Sequence, residues 1–259
     1  MGAGADPLQT GQVPDWSRPW FAPYAADGRA VQEAGRQGVT LPQALTRRAG
    51  LQGLRFVPQD ELPDGRAYET HVFETGCVPT RQGLHDFFNG LVWMRFPATK
   101  RLLNRWQAGE IARAGVGRVR GPLRDAITLF DENAVLLQAP DAIWEALLAR
   151  DWRRLFLDLA PIWSQARLVL FGHALLEKLV VPYKSITGHV YREPVPPALG
   201  EDTGAWDTWL AGRLTPAALA HKPFTPLPVL GIPGWWPDSR TPGFYDDAQV
   251  FRPARPAAA

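Results

Sequence analysis

The sequence predicts an α+β domain in which several helices pack a small mixed or antiparallel sheet. Three observations predict it. First, stretches with apolar residues at helical spacing, such as "GLHDFFNGLVWMRFP" and "PDAIWEALLARDWRRLFLDL", are interleaved with short apolar runs such as "LRFVP", "LRDAITLF" and "ARLVLFG". Second, 259 residues with 46% hydrophobic and 21% charged content can bury a core without disulfides or a structural metal. Third, 25 prolines are roughly twice the usual ~5% share, and with 11 tryptophans they predict long irregular segments. The expected layout is one domain over residues 1–259. It has an irregular N-terminal stretch (1–23), a main core (24–192), a Pro/Trp-rich extension packing on that core (193–253) and a loose tail (254–259).

Taken in order, "GRAVQEAGRQG" and "LPQALTRRAG" read as two short helices, each closed by glycine. "LRFVP" and "AYETHVFETG" read as strands joined by the turn-rich "QDELPDG". In residues 84–96, Leu84, Phe87, Phe88, Leu91 and Val92 fall at helical spacing; Pro97 ends that helix and suits the first turn of the next, "ATKRLLNRWQAG". "ARAGVGRVRGP" reads as a Gly/Arg-rich loop. "LRDAITLF" reads as a central strand that turns at "DEN" and returns as "AVLLQ", giving a hairpin near 125–138. "PDAIWEALLARDWRRLFLDL" is the clearest amphipathic helix, "ARLVLFG" a buried strand and "HALLEKLVV" a helix. A short helix is expected near "TPAALAHK".

A single cysteine, Cys77, rules out an intramolecular disulfide and a CxxC-type metal site. The N-terminal "MGAGADPLQTGQ" has neither the basic nor the apolar region of a signal peptide, and Asp6 breaks the myristoylation pattern. The most apolar run, "ARLVLFGHALLEKLVVP", carries His173, Glu177 and Lys178 at its centre, so no membrane span is expected and a cytoplasmic location is. Net charge is only +2, but residues 95–124 carry eight Lys/Arg against one acid, Glu110. Such a block can meet phosphates or simply be a solvated face.

The polar residues on segments that read as buried are the candidates for chemistry. At 100° per residue, His85 and Asn89 lie one turn apart on one helix face with Asp86 beside them. An unpartnered buried polar group costs roughly 1–3 kcal/mol, so these side chains either tie the core together or form a site. In a site, His85 is a general acid/base or a metal ligand, Asp86 orients it and Asn89 binds substrate. Asp125, at the start of the expected central strand, needs a partner such as Arg124 or His85. Strand alternation would put Asp125 and Asp131 on one face, while Asp131 and Asn133 read as turn formers. His173 and Glu177, spaced i,i+4, point the same way and could share a divalent metal, although two ligands are not a site. Lys100, Arg120 and Arg124 are the candidates for substrate charge. The glycines of "AGVGRVRG" match neither the dinucleotide fingerprint nor the P-loop, and no GxSxG or HExxH is present.

Together, "HDFFNGLVWMRFPATKRLLN", "RGPLRDAITLFDEN", "FGHALLEKL", "LPVLGIPGWW" and "FYDDAQVFRP" resemble the bacterial domain of unknown function 3025, over residues 68 to 253. Ala134 stands where that family often has glycine. The resemblance implies a bacterial soluble protein. The family carries no assigned activity, so no residue role comes with it.

Three functional readings remain open. The first is a hydrolase or transferase acting on a small anionic, phosphate-bearing substrate, with His85, Asp86, Asn89, Asp125, His173 and Glu177 at the site and a divalent metal as candidate cofactor. It requires His85, Asp125 and His173 to converge on one pocket. The second is a polyanion or nucleic-acid binding module, which requires the 95–124 arginines to form one exposed patch; a near-neutral net charge argues mildly against it. The third is a partner-binding protein with an exposed apolar patch within 206–245.

Overall fold

The computed structural model describes residues 13–115 and 121–254; Arg118 and Arg120, within the Gly/Arg-rich loop, lie outside the described residues. The chain opens with a 3-10 turn at Pro19–Tyr24 and helices α1 (Ala25–Arg36) and α2 (Leu41–Ala49). Strand β1 (Arg55–Pro58) pairs in parallel with β2 (Cys77–Thr80), and helix α3 (Tyr68–Thr75) lies between them in sequence. Helices α4 (Leu84–Arg95), α5 (Pro97–Ala114) and α6 (Pro122–Asn133) follow, with proline at the first position of α5 and α6, where its missing N–H costs no hydrogen bond. Next come β3 (Ala134–Gln138), α7 (Asp141–Ala149), β4 (Arg167–Leu170), α8 (His173–Lys178) and β5 (Thr187–Tyr191). The last elements are α9 (Thr203–Arg213), α10 (Pro216–Ala220) and β6 (Phe224–Pro228).

The larger sheet has the order β4-β3-β5-β6. The β3–β4 and β5–β6 pairs are antiparallel and β3–β5 is parallel, so the sheet is mixed and the fold is α+β, as the interleaved pattern predicts. All five residues of β3 are buried, as befits a strand flanked on both sides and covered by helices.

Three local expectations are corrected. "AYETHVFETG" is helix α3, not a strand, despite the β-forming character of Tyr68, Thr70, Val72 and Phe73. Its stop is glycine chemistry: Gly76 has φ 68°, and a Cβ there would meet the Gly53 carbonyl oxygen at 2.3 Å. "LRDAITLF" is not a strand either, and there is no 125–138 hairpin: residues 122–133 form α6, and β3 runs on from it to pair with β4 and β5. Ala126, Ile127 and Phe130 make the buried stripe of a helix, and Pro122 with Asp125 in the first turn are helix-start signals that outweigh the apparent alternation. The long amphipathic helix is divided: α7 ends where Arg150 takes a left-handed conformation, and a π-helical turn at Arg154–Asp158 follows.

The Pro/Trp-rich C-terminal part adds Trp206, Leu210, Leu227, Leu230, Tyr245 and Phe251 to the buried core, and none of the exposed large apolar side chains among the described residues falls within 206–245. Beneath α4, α5 and α6, Phe96 and Phe130 each meet Phe171 edge to face, with ring centroids 5.3 and 5.0 Å apart. Such pairs contribute about 0.5–1.5 kcal/mol beyond burial itself. They fix α4 and α6 against the end of β4, where α8 begins. No helix among the described residues is long and apolar enough to cross a membrane.

Candidate functional site

Helices α5 and α6 face each other through polar stripes at i, i+4, i+7: Lys100, Asn104 and Gln107 on one, Arg124, Thr128 and Asp131 on the other. They pair in antiparallel sense. The Lys100 ammonium donates to Asp131 Oδ1 at 2.5 Å, and the Gln107 amide donates to Thr128 Oγ1 at 3.3 Å. Arg124 Nε donates to Gln107 Oε1 at 3.3 Å. The seam forms one wall of a cavity of about 430 Å³ that Tyr68, Glu69, His85, Asn89, Trp93 and His173 also line.

Lys100 is 5% exposed and carries the main structural burden there. Besides Asp131 it donates to Asn89 Oδ1 at 2.9 Å, and it lies 5.3 Å from the Trp93 ring centre. Burial pushes the Asp131 carboxyl up, but Lys100 and then His173 outweigh it and hold Asp131 below the usual carboxylate range. Glu69 goes the other way: burial raises its carboxyl, and the hydrogen bond from Asn104 Nδ2, 2.6 Å from Oε2, offsets only part of that. Two of the four carboxyl groups that line the cavity among the described residues, Glu69 and Asp131, therefore have proton affinities pushed apart, a pattern common where one acid and one base are needed. Arg124 makes no ion pair among the described residues.

His85 and His173 meet at the mouth. Gly172 allows this: a Cβ there would lie 2.5 Å from the Asn133 backbone, so only glycine lets the start of α8 approach the end of α6 so closely. His173 Nδ1 then sits 2.7 Å from the Asp131 carbonyl oxygen, and its Nε2 sits 3.1 Å from His85 Nε2. His85 Nδ1 is 2.9 Å from Glu177 Oε2.

The partners dictate the protons. A carbonyl oxygen only accepts, so His173 carries its proton on Nδ1 and offers a lone pair at Nε2. His85 Nε2 must then donate to it, and His85 Nδ1 must donate to the Glu177 carboxylate. Both His85 nitrogens are donors, which makes the ring an imidazolium. The surroundings agree. The hydrogen bond to Glu177 raises His85 above its ordinary value against the opposing effect of burial, and burial drives His173 down to about 4. A raised folded value adds stability that is fully present below the unfolded value and lost as pH rises through the folded one. Proton NMR of the imidazoles is expected to show His85 titrating above the ordinary ~6.5 in the wild type and moving down in Glu177→Gln. An unchanged titration in that variant contradicts the pairing.

Of the residues singled out in the sequence, His85, Asn89, Lys100, Arg124 and His173 line the cavity together, and Glu177 holds His85 from behind. Asp86 also lines it, but its carboxylate accepts from the Arg81 backbone N–H at 2.6 Å and from the Arg81 guanidinium at 3.2 and 3.3 Å. It closes the loop onto α4 and does not orient His85; Glu177 does. Asp125 is not part of the site: it forms a surface ion pair with Lys222. On a helix, Asp125 and Asp131 are about 120° apart around the axis instead of on one face. The convergence of His85, Asp125 and His173 fails at Asp125; the acid that joins the two histidines in the cavity is Asp131, read from sequence as a turn former, so the enzyme reading stands only with Asp131 in the place of Asp125. Arg120 lies outside the described residues. Tyr68, Glu69, Asn104, Gln107 and Thr128 were missed by sequence reasoning. The signal for three of them was present in the i, i+4, i+7 polar spacing of α5 and α6.

Among the described residues no group of three His, Cys, Asp or Glu side chains is placed to hold a metal ion; the Nε2 atoms of His85 and His173 are the pair around which a divalent ion would have to be built. Among the described residues, the basic side chains of 95–124 are not gathered into one patch. Arg95 pairs with Asp27, Lys100 is buried on Asp131, Arg101 donates to the Gln52 carbonyl and Arg113 pairs with Glu110.

The structure defines a helix-rich α+β protein with a polar cavity between α3, α4, α5, α6 and α8. The family model described as "Protein of unknown function (DUF3025)" matches residues 54–255, and the chain belongs to that family. No curated protein and no solved structure matches it.

Proposed function

We propose that the protein is an acid–base enzyme, a hydrolase or transferase, that takes a small anionic substrate into the cavity between α5 and α6. The observation that carries this reading is the imidazolium of His85, held between the Glu177 carboxylate and the His173 lone pair at the mouth of a cavity containing Lys100 and Arg124. In this reading Arg124, which has no acidic partner among the described residues, binds the anion with two parallel N–H donors. Lys100 adds positive charge from below. His85, half-buried and doubly protonated, donates a proton to the leaving group as negative charge develops there. The proton transferred is the one on Nε2, which leaves the His173 lone pair for the leaving group, while Glu177 holds the Nδ1 proton and orients the ring. Water as the attacking group gives hydrolysis; a hydroxyl of a second substrate gives transfer. A phosphate-bearing substrate suits the Arg124 fork.

The test uses p-nitrophenyl phosphate and bis(p-nitrophenyl) phosphate as anionic probes. The wild type is expected to release nitrophenolate, with a rate that falls as pH rises through the His85 value, and His85→Gln is expected to lower the rate by about 10²–10⁴-fold. Turnover that is equal in wild type and His85→Gln would overturn the role of His85. Absence of turnover together with no effect of inorganic phosphate on the unfolding midpoint would overturn the anionic-substrate reading.

A further inference from the structure

A second cavity, about 910 Å³, lies beside β6, one of the two edge strands of the larger sheet. Its walls come from the end of α7, from β5 and the residues just before it, from β6 and from the C-terminal segment. Three arginines line it: Arg150, Arg192 and Arg252. No aspartate or glutamate among the described residues does. Among the described residues none of the three guanidinium groups meets a carboxylate. The acids nearest in sequence are engaged elsewhere: Glu193 with Arg213, Glu145 with Arg154, Asp246 with Arg153 and Asp247 with Lys184.

The three arginines come from different elements, and local structure holds each of them. Arg150 caps α7 in a left-handed conformation with φ 53°, where a cation also complements the helix C-terminus. That accounts for Arg150 alone. Arg192 follows the last residue of β5, its N–H bonded to the Pro223 carbonyl at 2.8 Å. The Arg252 carbonyl accepts from Trp152 Nε1 at 2.8 Å, and its Nε donates to the Gln249 carbonyl at 2.9 Å, which leaves the terminal guanidinium nitrogens for a ligand. Ser185, Thr187 and Gln249 add neutral polar groups to the lining. Like charges gathered around one cavity repel unless an anion joins them. One monoanion leaves two of the three unmatched, and the volume is that of a site for a whole small molecule.

We propose that this cavity is a binding site for a small ligand carrying two or more anionic groups, phosphates or carboxylates, held by Arg150, Arg192 and Arg252. It is separate from the cavity between α5 and α6 and does not depend on the function proposed for that one. The planar guanidinium groups favour bidentate contacts with either kind of anion, so the two sources are separated by experiment.

The test is calorimetric titration of the full chain at low ionic strength with inorganic pyrophosphate and, separately, with citrate. Pyrophosphate is expected to bind, and Arg192→Gln and Arg252→Gln are each expected to weaken it by about tenfold or more. Arg124→Gln, in the other cavity, is expected to leave it unchanged. Binding of citrate in place of pyrophosphate, with the same dependence on Arg192 and Arg252, supports the site and assigns it to carboxylates. Absence of binding by both anions overturns the proposal. So does wild-type affinity in both arginine variants, or a loss seen only in Arg124→Gln, which would place the anion in the first cavity. Arg192 and Arg252 are both exposed, so their variants keep the fold, and an unchanged unfolding midpoint without ligand verifies this.

Discussion

Lys100→Met is expected to lower the unfolding free energy at neutral pH by about 3 kcal/mol. The ammonium is almost fully enclosed and offers its protons to Asp131 Oδ1 at 2.5 Å and Asn89 Oδ1 at 2.9 Å. Methionine fills much the same volume without the charge, so the loss is not chiefly one of packing. What remains is the Asp131 carboxylate, partly buried and deprived of its nearest cation. At neutral pH His173 cannot replace Lys100, because burial keeps its ring uncharged there and its Nδ1 proton goes to the Asp131 carbonyl oxygen. The pH dependence follows from the direction of the Asp131 shift. In the wild type its value is lowered, so it contributes stability above the unfolded carboxylate value that is lost as pH falls through the folded one. In Lys100→Met burial acts unopposed by Lys100 and raises it. The carboxyl then takes up a proton in mild acid, and the gap to the wild type narrows. Urea unfolding at pH 7 and near pH 4 measures both. Adding Asp131→Asn to Lys100→Met is expected to recover much of the loss, since the amide is buried without charge. A change below about 0.5 kcal/mol at neutral pH, the size of an ordinary surface substitution, would show that the pair holds nothing together.

The interleaving of helices and strands was legible in the sequence because it depends on local periodicity, which α4, α7 and β4 display plainly. The two segments misread as strands share one cause. Tyr68, Thr70, Val72 and Phe73 favour strands, and Ile127 and Leu129 alternate, but both segments are helices packed on α5, so tertiary context overrides the local β-forming character. That single misreading of residues 122–133 carried Asp125 into the site and Asp131 out of it. His85, Asn89, His173 and Glu177 were found because a polar residue on an otherwise apolar helix stands out by itself. Lys100 was picked out for its charge, but Asn104 and Gln107 did not stand out, because α5 is rich in polar residues all round and tertiary packing shows which face is enclosed. The partner of His85 could not be read from spacing either. Glu177 reaches it across 92 positions of sequence through the contact of α8 with α4.

The wild type is expected to lose about 3 kcal/mol of stability between pH 6.5 and pH 4 through His173, and a His173→Asn variant is expected to escape most of that loss. His173 takes a proton near pH 4 when folded, against an ordinary value of 6.5. Between those values the unfolded chain binds a proton that the folded one refuses, so stability falls as pH falls across the window. Burial comes first among the reasons, and the geometry sharpens it. A proton on His173 Nε2 would point at His85 Nε2, which already carries one, and two positive rings would face each other 3.1 Å apart. Other groups act in the same range with different signs. His85, with its raised value, adds stability that is complete below 6.5, so it shapes the alkaline side only. Burial raises Glu69, and that opposes the acid loss. His189, lowered by burial, adds to the loss. The difference between wild type and variant removes these shared contributions. Asparagine retains an N–H that can reach the Asp131 carbonyl oxygen in place of Nδ1–H and has no proton to gain. Urea unfolding at intervals from pH 7 to pH 4 gives both curves. Parallel curves would mean that His173 shares its protonation behaviour with the unfolded chain. In that case the hydrogen-bond order from Glu177 through His85 and His173 to Asp131 would be wrong.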